Sequence, residues 1–340
     1  MRSFLLLVRP YFYSEHKLYS RWMGILLILL SSSIVGFSYF YAWWNKRFFD
    51  VLATRNIDIF FQECIIFFVV GIFWAFAYSS SLYYGQQYAL KWRIWMTNRA
   101  LNIWAHSSKR TTLEGADQRI QEDLMRFTII VERFFLEGFN AILTIIIFTP
   151  ILFKVTNNLV IGDVPVSVVL IASVTIYTVI GLYIGAKMTA PLIKLEYDNQ
   201  KYEAAFRYNL VHAKDGEHVS STAFLRLLSP IFRNYKAKYD KQRQFALWLK
   251  MYNQFSYLIP FIILAPSYFA GISTIGTLME IRIIFATIRS SMAYLLDHYT
   301  EFTELQAIAK RLLEFYNHLD EISAEAEITA KAEKNLVCPT

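Results

Sequence analysis

The sequence predicts an all-α membrane protein with six spans and long helical extensions outside the bilayer. Three observations carry that expectation. Hydrophobic residues make up 55% of the chain and charged residues only 18%, against about 25% charge in a soluble domain. The apolar residues gather into runs of membrane length, where a spanning helix needs about 20. Long basic connections alternate with short, weakly charged ones, the asymmetry that orients a chain in a bilayer.

The first span is the uncharged run Trp22–Trp44. Cys64–Leu90 is the second, with Gly71 and Gly85 as close-packing points. The third runs over 134–153 and the fourth over Val164–Ala186. The fifth lies within Met251–Ile272 and is interrupted by Pro260 and Pro266. The sixth, over 276–299, is unusual in carrying Glu280, Arg282, Arg289 and Asp297. Asn45–Asp58, Lys154–Asp163 and Ala270–Gly276 are the short connections; Arg93–Arg133 and Lys187–Lys250 are the long basic ones. The positive-inside rule puts the long connections and both termini in the cytoplasm, in keeping with Arg2, Arg9, Lys17 and Arg21.

That reading absorbs the net charge of +7 without a nucleic-acid partner. Aromatic residues at 17% fit interfacial belts. Cys64 and Cys338 form neither a disulfide framework nor a metal spacing. The first apolar stretch is too long for a cleavable signal peptide, and no small-residue cleavage site follows it. Residues 321–340 read as a disordered cytoplasmic tail.

The long connections continue the helical pattern of the spans. Arg93–Trp104 contains neither Pro nor Gly. Lys187, Lys194 and Lys201 recur every seven residues on one helical stripe. A helix from about Ile59 to His106 would be about 70 Å long, of which the bilayer core takes about 30 Å. Spans two and three, and four and five, therefore project as hairpins that turn at Ser107–Asp117 and His212–Thr222.

The charged segment Glu114–Arg133 directly precedes span three. Glu122 and Asp123 have Arg119 and Arg126 at helical spacing, so surface pairs account for them equally well. Glu132 lies within a turn of span three, and its neighbour Arg133 points elsewhere. Glu203 has Arg207 four residues on, an ordinary pair. A solvated glutamate titrates near pKa 4.3, and desolvation raises that value. Carboxylates in a membrane cavity are therefore natural proton carriers. In span six, Arg282 and Arg289 share a face and Glu280 lies nearly opposite. They line a cavity, or form buried ion pairs. Asp297, Glu301 and Glu304 read as a solvated face. Aromatics such as Trp74, Tyr84, Tyr88, Trp92 and Trp95 suit either an interfacial belt or a cavity wall that binds cationic, proline-rich segments. The histidines have no ligand spacing, and no hydrolase or metalloprotease motif occurs. An enzyme is disfavoured.

Six spans with two long intracellular hairpins is the plan of an ATP-binding cassette exporter's membrane domain, of type 1 fold. No G-x-x-x-x-G-K-[ST] phosphate loop occurs in the sequence, so no ATP site and no other cofactor is expected on this chain.

Four stretches carry a family resemblance: EGADQRIQEDLMRF (Glu114–Phe127), LEYDNQKYEAAFRYNLV (Leu195–Val211), AGISTIGTLMEI (Ala270–Ile281) and HYTEFTELQAIAKRLLEF (His298–Phe315). The sequence resembles the SbmA/BacA-like inner-membrane peptide transporters from about Tyr11 to Asp320. The resemblance implies a homodimer in the bacterial inner membrane that imports antimicrobial and proline-rich peptides, driven by the proton gradient. It also implies a ladder of glutamates, matched here by Glu122, Glu132 and Glu203. The next carboxylate of the family falls at Lys214, with Asp215 or Glu217 as substitutes. The chain begins near the family's first core span, so the N-terminal segment of longer members is expected to be absent. Two rivals stay open: the membrane half of a cassette transporter that recruits a separate ATPase, and a non-transporting envelope scaffold.

Overall fold

The computed structural model describes residues 2–106, 116–157, 159–161, 164–214, 221–298, 301–302 and 304–317. The described residues are almost wholly helical. In chain order they form α1 (Arg2–Phe12), α2 (Lys17–Thr54), α3 (Ile57–His106), α4 (Ala116–Gln118), a π-helical turn (Arg119–Asp123) and α5 (Leu124–Val155). Two short strands follow, β1 (Val160–Ile161) and β2 (Val164–Pro165), then α6 (Val166–Lys214), α7 (Ser221–Ser256), α8 (Ile259–Phe269) and α9 (Ile275–Asp297). A last helix, α10, covers 304–317. The chain divides into two compact units, Met1–Ile151 with Ser290–Thr340, and Leu152–Arg289.

Four helical segments are long and apolar enough to cross a membrane: Lys17–Thr54, Ile57–Asn102, Ala116–Val155 and Val166–Val211. They contain the first four predicted spans. Val164 and Pro165 are a correction, since they pair with Ile161 and Val160 in an antiparallel hairpin. The fourth span therefore starts at Val166. The fifth predicted span is broken. α7 ends at Ser256, and α8 begins at Ile259 with Pro260 in its first turn. That position suits a residue with no N–H to donate. α8 has 11 residues, about 16 Å of helix and half a hydrocarbon core. Thr274 starts α9, its Oγ1 accepting the N–H of Thr277 at 3.2 Å.

The predicted hairpin turns are narrower than expected. Ala116 and Asp117 are already helical, α6 runs on to Lys214, and α7 starts at Ser221. The remainder of both turns lies outside the described residues, as does the predicted tail at 321–340. α3 has 50 residues, about 75 Å, in line with the expected projection.

In the first unit, α2 and α3 form an antiparallel hairpin. Arg55 ends α2 in a left-handed conformation with φ 54°, and Asn56 Oδ1 accepts the N–H of Ile59 at 3.2 Å to start α3. Near this turn Trp44 Nε1 donates to Glu63 O at 3.0 Å. Arg47 pairs with the buried Glu63 carboxylate at 2.8 Å. The core lies mostly beyond the apolar run of α3, where Trp92, Met96 and Ala100 meet Tyr11, Phe127 and Leu312. Water there drives apolar surfaces together. Within the membrane-length runs side chains such as Phe68, Phe73 and Phe76 stay exposed, because lipid is as apolar as they are.

The second unit rests on the α6–α7 pair. Tyr177 and Tyr252 stack at 4.5 Å with planes 13° apart. The Tyr177 hydroxyl donates to Tyr252 O at 2.6 Å. Trp248 extends the stack at 5.4 Å from Tyr252. Gly181 makes the close approach possible, because a Cβ there would overlap the Tyr252 ring. Gly181→Ala should therefore destabilise this pair by about 1–3 kcal/mol, the usual cost of overpacking. A lowered melting temperature in detergent would register it, and an unchanged one would show that the stack can shift freely.

Candidate functional site: a charged ladder and the carboxylate beside it

The motif segment folds into the π turn Arg119–Asp123. A π turn carries an extra residue in a helix and is frequent at functional sites. Here it points Asp123 inward, where the residue is 2% exposed. Arg119 Nη1 reaches Asp123 Oδ2 at 2.7 Å. Arg311 of α10 grips the same carboxylate through both oxygens, Nη2 to Oδ1 at 2.7 Å and Nε to Oδ2 at 3.0 Å. This fork geometry is the strong form of the interaction. The hydrogen bond to Asp123 raises the Arg311 pKa above its ordinary value.

Further along α5 the pattern repeats. Arg126 meets Glu304 at 2.8 Å, Arg133 meets Glu301 at 3.3 Å, and Glu137 meets His298 at 3.3 Å. As residue numbers rise on α5 they fall on the partner segment. The two strips therefore run antiparallel, zipped by Asp123–Arg311, Arg126–Glu304, Arg133–Glu301 and Glu137–His298. Phe134 packs between these rungs against Tyr294, His298 and Phe302. Glu301 and Glu304 stay partly exposed, as expected of a solvated face, and in addition answer the α5 arginines. The side chain of Asp297 lies outside the description.

Each predicted residue can now be placed. Glu122 forms the expected surface pair, 2.9 Å from Arg126. Glu132 stays out of the ladder. It is half-buried, and its carboxylate packs so closely on Gly85 of α3 that a Cβ on Gly85 would overlap Oε1. Glu132 makes no hydrogen bond or ion pair among the described residues. Arg133 does point elsewhere, to Glu301. Glu203 is exposed on α6 and forms no ion pair with Arg207 among the described residues. Glu217 and Asp215 lie outside them.

Glu280 is buried in α9, 4% exposed. Arg282 and Arg289 do not form the buried ion pairs considered for span six: among the described residues neither has a carboxylate at pairing distance. Arg282 lies over the Tyr257 ring at 4.8 Å. Arg289 lies over Tyr252 at 5.5 Å and donates to Asn253 Oδ1 at 3.1 Å. An aromatic face satisfies a desolvated guanidinium at a smaller cost than a second buried charge.

The profile of the SbmA/BacA-like family matches residues 14–320. The chain belongs to that family. It is 30% identical over 345 aligned positions to an uncharacterized ABC transporter ATP-binding protein of Synechocystis, sll0182, covering 92% of this chain and 49% of the relative. Identity is 26% to the Escherichia coli inner membrane ABC transporter ATP-binding protein YddA, over 92% of this chain and 60% of that one. The chloroplastic ABC transporter D family member 2 of Arabidopsis thaliana is 24% identical, over 98% and 49%. The chain thus spans about half the length of the curated relatives it matches. Every rung of the ladder, from Asp123–Arg311 to Glu137–His298, falls inside the family match.

Arg311→Ala should cost about 1.5–3 kcal/mol, the range for hydrogen bonds to a charged group, because Arg119 remains on Asp123. Hydrogen exchange in 304–317 should accelerate more than in α7. Uniform acceleration along the chain would mean that the fork is not what fixes α10.

Proposed function

We propose that this protein is a membrane transporter that imports peptides across the bacterial inner membrane, driven by the proton gradient. It works as a homodimer with both termini in the cytoplasm. Family membership supports the transporter class. One observation carries the coupling: Glu132 makes no hydrogen bond or ion pair among the described residues, although four neighbouring carboxylates are paired. A group that must take up and release a proton cannot be locked in an ion pair. Glu132 is free of that constraint and lies where α5 enters its apolar run.

In this reading Glu132 is the principal proton carrier, assisted by Glu122, Glu203 and Glu217. Glu122 exchanges its proton only when its pair with Arg126 opens. Arg282 and Arg289 face the substrate path, with Glu280 buried on the opposite face of α9, and the tyrosines beneath the arginines continue the path as an aromatic wall. Such a wall suits proline rings and cationic side chains. The sixfold span count is completed by α7 and α8 acting together and by α9.

A second reading has its own support, because the curated relatives carry ATP-binding in their names. The chain would then be the membrane portion of a cassette transporter whose nucleotide-binding part is supplied separately. Proteoliposomes separate the two. An imposed inward-acidifying gradient should drive uptake of a proline-rich peptide without ATP, and Glu132→Gln should reduce it to background. Glu122→Gln should slow uptake without abolishing it. Uptake that needs ATP and a co-purifying ATPase, and ignores the gradient, would establish the second reading.

A further inference from the structure

We propose that the cleft bounded by α1, the α1–α2 turn and α3 binds the phosphate of a membrane phospholipid headgroup. The cavity measures about 720 Å³, within the range of roughly 300–1,000 Å³ for ligand sites. One wall is a stripe of α3 at helical spacing: Lys91, Ile94, Trp95, Asn98, Arg99 and Asn102. The opposite wall includes Tyr11 and Tyr19.

Charge is the first argument. The arginines of the ladder and Arg47 all have carboxylate partners. Lys91 and Arg99 have none among the described residues. Each is held on aromatic rings instead. Lys91 Nζ lies 3.9 Å from the Tyr19 ring centre. The Arg99 guanidinium lies 5.8 Å from Trp95 and 5.6 Å from Tyr316. Such contacts position a cation without neutralising it. Burial pushes the Tyr11 phenol up, so it adds no opposing charge. Glu15 on the rim is the acid of the lining. Among the lysine, arginine and acidic side chains of the lining, Lys91 and Arg99 against Glu15 leave +1 (2 − 1), the complement of one phosphodiester.

Depth is the second argument. Lys91 follows directly on Leu90, where the apolar run of α3 ends. The facing turn lies just before Trp22, where the apolar run of α2 begins. Tyr13 on this turn, and Leu18 and Trp22 in the first turns of α2, are exposed at 67–70%, and Tyr and Trp are the usual interfacial anchors. A basic pocket at this level meets lipid phosphate before it meets solute. The inference rests on the membrane reading and is independent of proton coupling.

The test uses the purified, delipidated full chain in neutral detergent. Phosphatidylglycerol should be retained in native mass spectrometry and should raise the melting temperature. Inorganic phosphate at the same concentration should do neither. The double variant Lys91→Ala/Arg99→Ala should lose retention about tenfold or more, at about 1 kcal/mol per basic residue. Asn98→Asp leaves both cations on their rings and should weaken retention as well. Equal retention by wild type and both variants would overturn the site. Equal stabilisation by inorganic phosphate would overturn the lipid as its source. Neither result touches gradient-driven uptake, and failure of that uptake leaves the binding result standing.

Discussion

The first unit depends on the two-oxygen grip of Arg311 on Asp123. A buried carboxylate is expensive unless its charge and its lone pairs are both answered. Arg119 and Arg311 answer them together. The grip fixes α10 beside the π turn, and so sets the register in which Glu304 and Glu301 meet Arg126 and Arg133. These exposed pairs contribute little singly. Their value is in alignment. They hold a heavily charged helix in one orientation as it reaches its apolar run, and Glu132 is left outside the compensated strip.

The placement of the core follows from the solvent around each part of a helix. Trp92, Met96 and Phe127 cluster on the stretch of α3 beyond its apolar run, where burial against water supplies the driving force. Inside the membrane-length stretches, association relies on close packing and on polar groups that find partners. The second unit uses both: Gly181 admits Tyr252 onto Tyr177, and the two tyrosines bond each other's backbone. The arginines of α9 then settle on rings of the same neighbourhood, Tyr252 and Tyr257.

What the sequence discloses divides by range. The first four spans are legible because each is a continuous apolar run of membrane length. The interruption of the fifth was legible in Pro260, at the start of α8, whereas Pro266 lies inside α8 without breaking it. The local pairs Arg119–Asp123 and Glu122–Arg126 were legible too, since helical spacing brings them together. The ladder was not legible. Its rungs join residues 161 to 188 positions apart, and no periodicity links such positions. Glu301 and Glu304 read correctly as a solvated face but without their partners, and Arg311 gave no sign of its role. The π turn was hidden as well, because its residues also fit an α-helix. Gly85 was recognisable as a point of close approach, but not as the contact of Glu132.

A π turn shifts the angular phase of everything that follows it. Were Arg119–Asp123 to relax into α-helix, each later side chain of α5 would rotate by about 100° per residue gained or lost. Arg126, Arg133 and Glu137 would leave their partners together, and Glu132 would leave Gly85. The rungs and the turn are thus mutually enforcing: neither can change alone. The azimuth of a single carboxylate at the membrane edge is written in a short turn more than two helical turns away.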